Sequence, residues 1–417
     1  MSNWEKQIFR VTVPAKAMLW GEYGVLLGGP AVVLSLPKYQ CVCDLIATPN
    51  PTDRQNSHRD YCDGDEAHTH NSSDSIVFSV FSDFLKGGSL QLHFSDLCNA
   101  EPLRNDASRD FLFFAGICSP WKEVFKKWHI TVNVTQSFPP SLGFGSSSAL
   151  LAALHRTFAR LAYGTPEFVH KNVFWERAFE SLKKIQGGGS GYDVAVQSES
   201  LWFDDNLKDD NLKDDTLKDD TLKSDDVCEN DVVQSNAVQN EAVQNSRGQV
   251  SVWKYLRNGS DAAPFLQKLN LPELSKFGVL VASHVYSDTA NALVTYSRSE
   301  NCARAHAALS ENFLENSTFE NLPCLMKISR EICRAQGIVP VLGAQGAFAQ
   351  ICDALDAYGL AWKSMGSGNG DCLWIAATHE NQQGTKAALA AMKHPISQKM
   401  ISEEIVFDFS TIGGSLL

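Results

Sequence analysis

The sequence predicts an α+β protein of two domains, on three observations. With 417 residues and 44% hydrophobic content, the chain can bury two cores. Strand-like apolar runs, Ile8 to Val13 and Phe277 to Ala282, alternate with helix-like stretches that begin near Ser148 and before Leu293. Glycine-rich turns stand at several of the junctions.

The first strand runs into PAKAMLWGEYGVL, in which Lys16 is the one cation. A lysine at the end of an apolar strand is ordinarily a solvated group or a guard against edge pairing. Beside an anion loop and an acid, it would instead neutralise a phosphoryl group in transfer and hold the acid ionised. Pro49 to Ser75, rich in Asp, His and Asn, reads as a long loop whose His58, His68 and His70 either bind metal or are solvated.

Pro139 to Leu151, PPSLGFGSSSALL, places a Gly/Ser cluster directly before a helical run. Gly143 and Gly145 remove the Cβ groups that keep a polyanion off the backbone. Ser146, Ser147 and Ser148 supply hydroxyls, and the helix aims its unpaired N–H groups at the anion. The alternative is a plain N-cap. A Walker-type loop is disfavoured because no lysine follows, and a dinucleotide fold because the third glycine and the later acid are missing. Gln186 to Val196, QGGGSGYDVAV, sets Asp193 just after four small residues, where a carboxylate either approaches a substrate or caps a turn.

Between Asp204 and Asn245 the sequence repeats in pentads, DDNLK, DDTLK and then AVQNE-like units. Thirteen acids there against four lysines account for −9 of the net charge of −12, so no global acidic argument about partners holds. A period of five matches neither helix nor strand, which leaves disorder or a small β-solenoid. The flanks, Ser200 to Phe203 and Gln249 to Tyr255, read as two strands. Beyond them, Ser287 or Asp288 caps a helix or touches substrate. Met365 to Cys372, MGSGNGDC, forms the last glycine loop.

The eleven cysteines form no CxxC pair, so zinc is not indicated and the thiols read as reduced. Met1 to Arg10 does not resemble a signal peptide and no apolar run would span a membrane, so a cytoplasmic protein is expected.

PAKAMLWGEYGVLLGGPAVV, PPSLGFGSSSALLAAL, GGGSGYDVAV and MGSGNGDC together, in this order, resemble the GHMP superfamily of small-molecule kinases. QGGGSGYDVAV and Gly370-Asp371-Cys372 are similar to the phosphomevalonate kinase forms GSGFDVA and GGDC. Phe144, Ser148, Ser367 and Asn369 depart from the usual pattern, and Glu180 lies two residues farther from Asp193 than the metal-binding glutamate of mevalonate kinases.

The resemblance implies a ribosomal-S5-like N-terminal domain (1–203) and a ferredoxin-like C-terminal domain (257–417), separated by the insertion (204–248) and a returning strand (249–256). It implies ATP-dependent, Mg²⁺-dependent phosphoryl transfer to a small-molecule acceptor of the mevalonate pathway: 5-phosphomevalonate first, mevalonate second, with a non-catalytic ligand-binding member as the contrasting class. Asp193 and Lys16 would be catalytic. Gly143, Gly145, Ser146, Ser147 and Ser148 would hold the nucleotide. Gly21, Glu22, Ser190, Gly191, Ser287, Gly366 and Gly368 would line the acceptor, and Ser147 and Glu180 would hold the metal. Lys183, Lys184 and Arg298 could supply charge for a phosphorylated acceptor. No nucleic-acid or membrane partner is expected, and the chain would be a monomer or homodimer.

Overall fold

The computed structural model describes residues 5–50, 75–98 (without 84 and 86), 108–138, 142–164, 171–204 (without 188), 250–257, 263–271, 278–282, 299–337 (without 317 and 319), 352, 355–356, 359–366, 372–376 and 405–408. The pentads, Ser287, Arg298, Gly368 and Asp371 lie outside them.

The fold is α+β, built on two sheets. The larger has eight strands: β1 (Gln7–Trp20), β2 (Ala31–Pro49), β3 (Ile76–Phe81), β4 (Ser89–His93), β5 (Trp128–Gln136), β6 (Trp202–Asp204), β7 (Ser251–Leu256) and β8 (Phe265–Leu269). Its order is β4-β3-β5-β2-β1-β6, with β3 parallel to β5 and the other pairs antiparallel. The far half of β2, Cys41–Pro49, pairs β5, while its near end, Ala31–Ser35, pairs β7, which carries β8. The flanks of the pentad insertion therefore do not pair as the tight hairpin that the kinase resemblance implies. β6 lies outside β1 and β7 beyond β2, because each finds an open edge at a different end of the long β1–β2 ribbon.

One irregularity in β1 decides where the site is built. Phe9, Val11 and Val13 belong to the core under the helical layer, formed by α1 (Arg109–Cys118), α2 (Ser146–Tyr163), α3 (Lys171–Gln186) and α4 (Tyr192–Ser200). A strand keeps alternate residues on one face, so Ala15, Ala17 and Leu19 should follow them. They lie instead in a second core, with Phe313, Met326 and Trp374. The register between β1 and β2 shifts between Pro14 and Ala15, where Pro14 pairs Gln40 but Ala15 pairs Leu36. A bulge of this kind swaps the faces. Met18, and Lys16 with it, is thereby turned toward the helical layer.

The smaller sheet has the order β10-β11-β9-β12, from β9 (Val279–Ala282), β10 (Ala361–Ser364), β11 (Cys372–Ala376) and β12 (Ile405–Asp408). α5 (Glu300–Asn316) and α6 (Leu322–Ala335) accompany it. Trp20 at the end of β1 meets Phe313 and Trp374 at ring-centroid distances of 5.3 and 5.7 Å, so the second core joins the two sheets. The 3-10 turn Tyr23–Leu27 packs directly on α5, where a Cβ at Gly24 would lie 2.4 Å from the Ala307 nitrogen. Among the described residues, no helix is long and apolar enough to cross a membrane.

Candidate active site

Lys16 is 6% exposed, yet it is held by polar groups. Its backbone N–H donates to Phe144 O at 3.0 Å, and its ammonium donates to the Tyr192 hydroxyl at 3.0 Å and to Gly143 O at 3.4 Å. The same ammonium lies 5.0 Å from the centroid of the Tyr192 ring. The bulged strand thus delivers one cation to a point between two helix N-termini.

The first is that of α2, which starts at Ser146, two residues before the start read from sequence. Its cap, Gly145, has φ 74°, a left-handed conformation natural to glycine. A Cβ there would come within 2.7 Å of Lys16 Cε. Ser147 is exposed and Ser146 partly so, whereas Ser148 is buried and its hydroxyl donates to Gly145 O at 3.0 Å. Ser148, expected on the nucleotide, spends its proton within the first helical turn. The second N-terminus is that of α4, capped by Gly191. Asp193 sits in its first turn, partly exposed, and its Oδ1 accepts from Val194 N at 2.9 Å. Val194, Ala195 and Val196 are buried members of this helix.

Three residues that the sequence reading passed over hold the two N-termini together. Gln197 on α4 donates to both Pro14 O and Gly145 O at 3.2 Å, tying strand, loop and helix. Tyr192 contacts Lys16 as described; burial pushes its phenol pKa up, the Lys16 charge opposes the rise and Asp193 adds to it. Tyr255 on β7 donates its hydroxyl to Ser190 O and packs edge-on against Tyr192, with centroids 6.5 Å apart. Gln197 follows Asp193 by one helical turn, a spacing that could have flagged it. The tyrosines carried no such local signal.

Arg257 lies over the Phe179 ring, 3.4 Å from its centroid. Phe179 in turn occupies the space that a Cβ on Gly191 would need, 2.3 Å from its Cε1. A guanidinium therefore borders the turn that carries Asp193. Lys184, a candidate for that charge, is bound to Glu180 at 2.7 Å and Ser119 at 2.9 Å on the outer face of α3. Glu180, expected on the metal, is the other half of that half-exposed i,i+4 ion pair.

Glu22, expected on the acceptor, is held in a buried ion pair and also acts on the Tyr192 phenol. Its side chain is 2% exposed, Oε2 accepts from Gly21 N at 3.1 Å, and Oε1 is paired with Lys363 on β10. Gly366 lies in the turn after β10, at φ 61°.

No protein-family model matches the chain, and no relative among curated proteins matches it by sequence. Solved structures do. Methanococcus jannaschii mevalonate kinase superposes with a TM-score of 0.54 at 14% identity, covering 94% of this chain and 97% of that one. Streptococcus pneumoniae phosphomevalonate kinase, in complex with phosphomevalonate and AMPPNP, gives 0.53 at 10% identity, covering 95% and 98%. The chain has the GHMP kinase fold. On this fold, the motif-bearing segments around Lys16, Gly145 and Asp193 converge on one place, and Glu22 and Glu180 are each held in an ion pair.

Proposed function

We propose that the chain is an ATP-dependent small-molecule kinase of the mevalonate pathway, with 5-phosphomevalonate as its acceptor. The observation that carries this reading is the Lys16 ammonium, fixed by Tyr192 and Gly143 between the Gly145-capped and Gly191-capped helices, with Asp193 in the first turn of the latter.

The nucleotide phosphates lie against the N-terminus of α2 and the hydroxyls of Ser146 and Ser147, where helix amides favour anions. Lys16 faces the group in transfer. A bond forms from the acceptor oxygen to the γ-phosphorus as the bond from that phosphorus to the bridging oxygen breaks, and ADP leaves. With an alcohol acceptor, Asp193 takes the released proton; a phosphate acceptor, largely ionised at neutral pH, gives up little. Arg257 at the rim of the Asp193 turn provides the positive charge that a phosphorylated acceptor requires.

Mg²⁺ takes much of its shell from water and substrate phosphates, so the absence of any cluster of three or more His, Cys, Asp or Glu ligands among the described residues is compatible with it. When bound, it would neutralise charge on the phosphate oxygens; the exposed Ser147 hydroxyl and Asp193 are groups suited to hold it.

The test is ADP release by the purified protein with ATP and Mg²⁺, comparing 5-phosphomevalonate, mevalonate, galactose and homoserine. Turnover with 5-phosphomevalonate alone supports the reading, and turnover with mevalonate alone moves the acceptor. Nucleotide binding without turnover on any of the four makes the chain a ligand-binding member of the fold. Asp193→Ala should lower turnover by about 10²-fold or more, through lost positioning and electrostatics at the reacting group rather than proton transfer, while AMPPNP still binds. Retained turnover in this variant overturns the assignment of Asp193.

A further inference from the structure

The Lys16 ammonium meets the Tyr192 hydroxyl, and the direction of that hydrogen bond has a chemical consequence. An ammonium has only protons to give, so in the 3.0 Å contact the phenol oxygen is the acceptor. The phenol keeps its own proton, because burial drives its pKa upward. No acceptor takes that proton among the described residues: Asp193 Oδ1, in the next residue, receives the Val194 N–H. Tyr192 is only partly buried as a residue, and the charges of both Lys16 and Asp193 act on its phenol. Its ring is fixed by the edge contact with Tyr255, itself tied to Ser190 O.

We propose that Tyr192 is a second donor of the site: it positions Lys16 and gives its O–H to the anionic oxygen that Lys16 faces, on the γ-phosphoryl group or on the acceptor. The inference rests on the kinase reading. It also makes residue 192 more than a filler of the GSGYD turn, since the GSGFD form of this motif keeps the ring and lacks the donor.

The experiment uses Tyr192→Phe, which preserves the ring, and Tyr192→Leu, which removes it, with thermal melts to confirm that both fold. A hydrogen bond to a charged group should make Tyr192→Phe lose about 10- to 100-fold in kcat/KM. Weaker AMPPNP binding would place the contact on the γ-phosphoryl group, and a raised acceptor KM with AMPPNP binding unchanged would place it on the acceptor. Kinetics and AMPPNP affinity equal to wild type in Tyr192→Phe, with loss only in Tyr192→Leu, overturn the proposal and leave the ring as packing. Acetylation of Lys16 by acetic anhydride, followed by mass spectrometry without any substrate, reads the Tyr192–Lys16 contact independently. Labelling several-fold faster in Tyr192→Phe supports it, and an unchanged rate overturns it. If wild type turns over none of the four acceptors, the kinase reading fails, while the labelling and AMPPNP arms still decide the role of Tyr192.

Discussion

Gly145 is where backbone conformation, helix capping and the Lys16 cation meet. Its left-handed φ of 74° costs an L-residue about 1–2 kcal/mol. A methyl group would also stand 2.7 Å from both Lys16 Cε and Ser148 Oγ, so Lys16 would have to move. Gly187, at φ 78° with nothing within 4 Å of its ideal Cβ, isolates the first effect. Gly145→Ala and Gly187→Ala should therefore lose similar stability in urea unfolding, about 1–2 kcal/mol from the backbone alone, whereas only Gly145→Ala should lose turnover, by tenfold or more. Equal turnover in the two variants would mean that the Lys16 position does not matter. Gly145, Lys16 and Asp193 could be singled out in the sequence because each sits in a short segment of distinctive composition. The Lys16–Tyr192 contact was not, since it spans 176 residues and exists only once β1 and α4 are packed.

At the scale of elements, the helical layer is fixed by a buried polar relay as well as by apolar contact. His155 on α2 accepts from Trp121 Nε1 through Nδ1 at 2.7 Å, so its proton is on Nε2, 3.0 Å from the Ser181 hydroxyl on α3. Ser181 donates onward to Gly116 O on α1 at 2.9 Å. Burial, with the nearby Arg177 charge, lowers the His155 pKa to about 3. Above pH 6.5 the ring is neutral folded and unfolded alike and contributes no pH dependence. As pH falls below 6.5 the unfolded chain takes up the proton and the folded chain refuses it, so stability drops, by about 2 kcal/mol at pH 5. Urea unfolding at pH 7 and pH 5 should show this loss reduced by about that amount in His155→Gln. Identical pH dependence in wild type and variant would show that His155 is not held neutral. The helix itself could be read from the apolar run after Ser148. The bulge before Lys16 could not be read from periodicity, although Pro14, a residue that sheets tolerate chiefly at edges and bulges, marks its place.

At the scale of the molecule, the two sheets are joined by a charge pair in the second core. Lys363 on β10 is 1% exposed and donates to Glu22 Oε1 and to Leu19 O at 2.8 Å, with its ammonium 4.8 Å from the Trp20 ring centroid. His306 on α5 stands 3.8 Å from the other Glu22 oxygen. The partners Glu22 and Lys363 are 341 residues apart, so nothing in the GEYGVL segment reveals that its acid turns to the opposite sheet. Removing one charge leaves the other buried and uncompensated, which typically costs about 3–5 kcal/mol, whereas replacing both with apolar groups of similar size is often close to neutral. Glu22→Gln should therefore unfold at markedly lower urea, and Glu22→Leu combined with Lys363→Met should recover much of the loss. Because Glu22 lies six residues beyond Lys16 on the same run of chain, loosening this joint should lower turnover in proportion to lost stability, and cooling should restore it. A Glu22→Gln protein that is fully stable yet inactive would argue the opposite: that the carboxylate acts on the acceptor, the role that the resemblance of GEYGVL implies.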